Sequence, residues 1–209
     1  MRYRYIGDCA EDRLPESEGP KGHMVERDKL HADYPTQFHD AAFCEELGRT
    51  VATFGFVEEM LGKAIYALTG AKEFDPEGDP EAFSGWIKTL EKALTDQLGG
   101  LIVGYEKALA ENPRTKGKDY GAQLAELREA KDIRNVLCHG SWSKPDDQGR
   151  SVPRFVNRKL LVFDTPVDVQ FLMQTRAALR HIICNILDSV TSVGYQFPGS
   201  DGCGGVVTA

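Results

Sequence analysis

The chain has 209 residues, 41% of them hydrophobic and 27% charged. That is enough apolar surface for one domain with a real core, and it excludes a disordered or fibrous chain. No apolar run approaches the roughly 20 residues that cross a bilayer, and the first residues lack the apolar stretch of a secretory signal. The five cysteines, Cys9, Cys44, Cys138, Cys184 and Cys203, are odd in number, far apart and without C-x-x-C spacing. Neither a disulfide framework nor a zinc knuckle is expected, and the chain reads as cytoplasmic and reduced, with no metal and no cofactor.

Residues 1–34 are rich in charge, Pro and Gly and read as an irregular N-terminal arm. A helical domain is expected over 35–195, and a glycine-rich tail over 196–209. From Pro35 to Leu68 the apolar residues Phe43, Leu47, Phe54, Leu61, Ile65 and Leu68 share one helical stripe. Gly70 ends it, and Phe74 to Pro80 is a loop. A second helical zone starts near Pro80, with Phe83, Trp86, Ile87, Leu90 and Leu94 in phase. Gly99-Gly100 kinks it or divides it from a helix reaching Leu109. After the basic loop from Asn112 to Lys118, a further helix spans about Asp119 to Cys138 with Leu127, Ala130, Ile133 and Leu137 on its apolar face.

The pattern then changes. Turn residues at Pro145 to Gly149 and short apolar runs at Arg154 to Val156 and Leu160 to Phe163 predict a small β-hairpin within about 141–163. Thr165-Pro166-Val167-Asp168 reads as a helix start. The last long helix carries Val169, Leu172, Met173, Leu179, Ile183, Ile186 and Val190. The predicted class is all-α: an antiparallel helical bundle of four to five helices, with a β-hairpin insertion before the last long helix.

Charge is distributed unevenly. Residues 1–113 carry 12 basic and 22 acidic side chains, net −10; residues 114–160 carry 11 and 6, net +5; residues 161–209 carry 2 and 4, net −2. The middle segment is a cationic zone in an acidic chain, suited to attracting phosphates or simply to solvation. Its candidate RNA-binding side chains are Lys144, Arg150, Arg154 and Arg158.

Two features of the helices bear on chemistry. Glu58 lies about 20° from Leu47, Val51 and Ile65 on a helical projection, within or beside the apolar stripe. A carboxylate there either finds a partner, for which Arg134 is the choice, or snorkels to water. Gly48, Gly55 and Gly62 recur every seven residues and, with Ala41 and Ala52, form a small-residue ridge. At about 1 kcal/mol each relative to Ala, they suggest a close backbone neighbour, in the same chain or in a second copy.

The most informative stretch is Arg134-Asn135-Val136-Leu137-Cys138-His139-Gly140. Asn135 and His139 are four apart and share a helix face away from the apolar stripe. A histidine at a helix C-terminus also fits a purely electrostatic role against the helix dipole, with Gly140 as an ordinary cap. Arg, a polar residue, and His after a four-residue gap, late on a helix of a helical bundle, resembles the signature of the HEPN superfamily. The phrase Phe54-Gly55-Phe56-Val57-Glu58-Glu59-Met60-Leu61 is similar to the first long helix of some members, and the resemblance spans roughly 36–193. It implies a metal-independent endoribonuclease, with Arg134, Asn135 and His139 catalytic and Glu58 supporting. It also implies RNA as substrate, a homodimer, and in toxin branches an antitoxin or regulatory partner. Some toxin members carry a tyrosine two residues after the histidine, where this chain has Ser141. The alternative function is a HEPN-like module that binds RNA, a nucleotide or a protein without turnover.

Overall fold

The computed structural model describes residues 2–5, 24–70 and 75–200. The expected loop residue Phe74, most of the expected N-terminal arm and residues 201–209 of the expected tail lie outside that set. Among the described residues are five α-helices: α1 (Ala41–Thr69), α2 (Pro80–Thr95), α3 (Leu98–Glu111), α4 (Gly121–His139) and α5 (Val169–Thr191). Four short strands accompany them: β1 (Tyr3–Tyr5), β2 (Ser141–Trp142), β3 (Pro153–Arg154) and β4 (Leu161–Phe163). The chain is thus mostly helical, with a small antiparallel hairpin before the last helix. No described helix is long and apolar enough to cross a membrane.

The chain divides into two compact units, Met1–Leu47 with Val136–Leu172, and Gly48–Asn135 with Met173–Ala209. Both units are discontinuous in sequence, because three long helices each pass from one unit into the other.

In the second unit, paired contacts set the helix directions. Trp86 donates to Thr69, and a Cβ placed on Gly62 would lie 2.8 Å from the Ala93 carbonyl oxygen, so α1 and α2 run antiparallel. Glu58 meets Leu98 and Leu68 meets Asn112, so α1 and α3 run parallel. Gly99 lies beside Lys131 and Tyr105 bonds Gln123, so α3 and α4 are antiparallel. The core follows from the stripes: Phe54, Val57, Met60, Leu61, Ile65 and Leu68 of α1 are buried, as are Leu101, Ile102 and Tyr105 of α3. Leu124 and Leu127 of α4 join them, with Leu179, Ile182, Ile186 and Val190 of α5. Successive burial at three- and four-residue steps is what a 3.6-residue period produces. Outside α2, five residues placed on stripes fall short: Met173 is 52% exposed, one position past the buried Leu172, and Leu47, Ile133, Val169 and Ile183 are only half-buried.

α2 departs further. Asp79 caps it through the Ala82 amide and Pro80 opens it, as its sequence suggests, yet none of its residues is buried. Leu94 is 85% exposed. Its apolar face leans on the bundle rather than entering it. α3 begins after an extended Asp96-Gln97 break rather than at Gly99-Gly100.

In the first unit, α1 starts at Ala41 rather than at Pro35, because Asp40 caps it by accepting from the Phe43 amide at 2.7 Å. α5 is likewise capped by Asp168, which accepts from the Phe171 amide at 2.7 Å. Thr165, the first residue of the expected helix start, instead accepts from the Arg2 amide at 2.7 Å. β2 pairs with β3 antiparallel, and β1 pairs with β4 in the register Tyr3 to Phe163. A Val156–Val162 bridge continues β3 toward β4. Between them Asn157 accepts from the Lys159 and Leu161 amides, and Leu160 takes a left-handed φ of 60°. Trp142 anchors the hairpin by its ring: it meets Phe43 edge-on at 5.1 Å, and Phe43 in turn stacks on His39 at 4.7 Å.

Candidate functional site

α4 carries the whole Arg-Asn-x-x-x-His stretch. Its first-turn amides are joined by the Leu124 amide donating to the Tyr120 carbonyl, and its last helical residue is His139. The helix stops there because Gly140 leads directly into β2. A Cβ at Gly140 would lie 2.6 Å from the Val136 carbonyl oxygen and 2.8 Å from Pro153 Cβ. Only glycine lets β3 approach the helix end this closely. Gly140 therefore serves strand packing as well as helix termination.

In the second unit, Glu58, Arg134 and Asn135 form one cluster. Glu58 accepts from the Leu98 amide at 3.2 Å, which occupies a donor at the first residue of α3. Its carboxylate lies 3.7 Å from an Arg134 Nη2, and both side chains are mostly buried, 27% and 19% exposed. Arg134 Nη1 lies 3.5 Å from Asn135 Oδ1. Glu58 thus has both a guanidinium and a helix N-terminus as partners, which is why a carboxylate persists beside the apolar stripe of α1.

In the first unit, His139 is exposed at the C-terminal end of α4. A cation at that end interacts favourably with the helix dipole. In the second unit, His181 is exposed on α5. Cys138, next to His139 in sequence, is exposed and in no disulfide among the described residues, as are Cys44 and Cys184.

The four candidate RNA-binding cations differ in what they already do. Arg154 in β3 and Arg158 at the hairpin turn are exposed. Lys144 stands over the Phe38 ring at 5.5 Å. Arg150 is committed internally. Its Nε and Nη2 reach Asp146 Oδ2 at 2.9 and 2.8 Å, and its amide bonds Asp146 Oδ1 at 3.0 Å. The Arg150 amide, its side chain and the Gln148 amide together hold the Asp146 carboxyl below its ordinary value. Charge counting gives no sign of this clamp, although Asp-x-x-Gly-Arg around a turn is the spacing that permits it. Ser151 adds a second tie, donating to the Ser143 carbonyl at 2.6 Å.

No family model matches the chain, and no curated protein or solved structure matches it either.

Proposed function

We propose that the protein is a metal-independent endoribonuclease with HEPN-like chemistry. The supporting observation is an exposed imidazole, His139, ending the helix whose previous turn carries the mostly buried Arg134. An RNA chain is cleaved when a 2′-hydroxyl attacks the adjacent phosphate. A base must take the hydroxyl proton, an acid must protonate the leaving 5′-oxygen, and positive charge must face the phosphoryl oxygens. Histidine titrates near neutral pH and serves the proton transfers. Arginine stays charged and pairs with two phosphate oxygens. Asn135 orients the phosphate or the imidazole, and Glu58 holds Arg134. A two-fold homodimer would supply the second histidine that the two proton transfers require. An antitoxin or regulatory protein would complete a toxin or defence setting.

The test is cleavage of a mixed RNA panel by purified protein in EDTA. The expected products carry 2′,3′-cyclic phosphate ends, and His139→Ala abolishes them while leaving the circular dichroism unchanged. Absence of cleavage of any RNA by pure, folded protein would overturn the assignment.

A second reading, a binding module without turnover, is favoured by the exposed Arg154 and Arg158 on one hairpin. It predicts RNA binding that weakens with salt and is lost in Arg154→Glu/Arg158→Glu, with no cleavage. Binding unaffected by the double reversal would exclude it.

A further inference from the structure

The turn between β3 and β4, in the first unit, holds a leucine where glycine fits better. Leu160 has a φ of 60°, and among the described residues it is the only one besides glycine with positive φ. The left-handed region crowds a Cβ against the following carbonyl oxygen, so glycine adopts it most easily. Neighbouring bonds fix the conformation. The Leu160 amide donates to the Asn157 carbonyl and the Asn157 amide to the Leu161 carbonyl, each at 3.0 Å. The Asn157 side chain accepts from the Lys159 and Leu161 amides at 2.9 and 3.1 Å. The side chain so presented is 63% exposed. Glycine would relieve the backbone and remove the exposed apolar surface, so packing within the chain gives little reason for leucine.

The surroundings favour one kind of occupant. Arg158 and Lys159, at the centre of the same turn, are exposed and make no ion pair among the described residues. Val156, just before the turn, is 47% exposed. Residues 151–163 carry three cations, Arg154, Arg158 and Lys159, and no carboxylate. The strand paired with β4 adds Arg4, opposite Val162. Positive charge and aliphatic surface thus occur together at the tip. They match an anionic layer with an apolar layer directly behind it, which is the order of headgroups and acyl chains in a phospholipid leaflet. RNA matches less well. Its apolar surfaces are base faces, which proteins engage with aromatic side chains. The aromatic residues of 151–163, Phe155 and Phe163, are half-buried and buried.

We propose that the 156–160 tip is a peripheral contact for an anionic lipid surface, with Leu160 entering the acyl boundary and Arg158 and Lys159 facing lipid phosphates. Repulsion from the acidic remainder of the chain is largely screened beyond about 8 Å at physiological salt. The contact does not depend on the ribonuclease reading. It shares Arg158 with the binding-module reading, so RNA is the rival occupant.

The experiment sediments the full chain with vesicles of phosphatidylcholine, alone or mixed in equal parts with phosphatidylserine. Binding to the mixed vesicles is expected, at least about tenfold tighter than to the neutral ones and weakening with salt. Arg158→Gln/Lys159→Gln should remove that preference. Leu160→Gly should weaken binding at least about fivefold while the melting temperature stays unchanged or rises, because the backbone already suits glycine. Leu160→Trp should keep binding, with added emission that acyl-brominated lipid quenches. The proposal is overturned if the mixed vesicles do not bind the chain, if neutral vesicles bind as well, or if Leu160→Gly leaves binding unchanged. Loss of RNA binding in Leu160→Gly, in a chain indifferent to vesicles, would overturn it in favour of nucleic acid.

Discussion

Glu58 on α1 accepts the backbone N–H of Leu98, the first residue of α3, at 3.2 Å. The carboxylate therefore acts as a cap supplied from another helix, since Gln97 at the α3 N-cap makes no side-chain cap bond. Its second neighbour, Arg134 at 3.7 Å, is an ion pair at long range rather than a hydrogen bond. Losing a cap costs about 1 kcal/mol, and leaving a buried donor unpaired costs about 1–3 kcal/mol. Glu58→Ala should thus lower the melting temperature by about 2–12 °C, from about 1–3 kcal/mol at about 2–4 °C per kcal/mol for a chain of this size. Glu58→Gln keeps an acceptor for Leu98 and loses only the partly exposed ion pair, worth about 0–1 kcal/mol. Equal destabilisation by both variants in a thermal melt would show that the ion pair, not the cap, dominates.

Much of this geometry is readable from residue spacing. The α1 stripe through Phe43, Phe54, Leu61, Ile65 and Leu68 emerges as buried because a helical period fixes which side chains face together. The turn at Asn157 and the position of Glu58 beside that stripe follow from equally local signals. What spacing leaves open is depth and long-range pairing. The amphipathic pattern of α2 specifies an inward face but not that the helix stays at the surface. β1 exists because Tyr3 to Tyr5 find β4 at the other end of the chain, and nothing local to those residues encodes the partner. For the candidate site, the Arg134–His139 spacing is visible directly, whereas the commitment of Arg150 to Asp146 is not, since net charge does not say which cations are already paired.

The three in-phase glycines of α1 separate into two kinds. A Cβ at Gly62 would meet the Ala93 carbonyl oxygen at 2.8 Å, whereas at Gly48 and Gly55 it would meet nothing within 4 Å among the described residues. Gly62→Ala must push α2 outward against backbone and should destabilise. Gly48→Ala and Gly55→Ala should each stabilise by up to about 1 kcal/mol through helix propensity. Urea midpoints of the three variants provide the comparison. A loss of stability at Gly55→Ala that depends on protein concentration would reveal a second chain packed on that face.

The Asp146–Arg150 clamp makes a prediction about acidity. The first cause of the lowered Asp146 value is the Arg150 amide, followed by its side chain. Arg150→Ala removes only the side chain, so NMR titration should show the Asp146 carboxyl moving up yet remaining below an unperturbed aspartate. A carboxyl at its ordinary value in wild-type protein would mean that the loop is not closed in solution. The clamp's contribution is present above the unfolded aspartate value and is lost as pH falls through the lowered one. Because Arg150 is already paired with Asp146 whereas Arg154 is exposed, RNA binding by the hairpin should respond little to Arg150→Ala and strongly to Arg154→Ala.

Tyr105 supplies the alkaline counterpart. It is fully buried, its hydroxyl donates to Ser189 at 2.6 Å, and it accepts from Gln123 at 3.0 Å. Burial pushes its ionisation up to about 12, against the two hydrogen bonds that would favour the phenolate. In the unfolded chain the same group ionises near 10. Below that pH both states hold the proton and its contribution to stability is constant. Between about 10 and about 12 the unfolded state releases the proton first, so stability falls with rising pH until the folded-state value is passed. Tyr105→Phe should cost about 1 kcal/mol at neutral pH from the lost hydroxyl bonds, because Ser189 retains its bond to the Ile186 carbonyl. The same variant should flatten the fall in urea midpoint between about pH 9 and about pH 11.5. An undiminished alkaline slope in Tyr105→Phe would assign the loss to other groups and place the Tyr105 hydroxyl within reach of water.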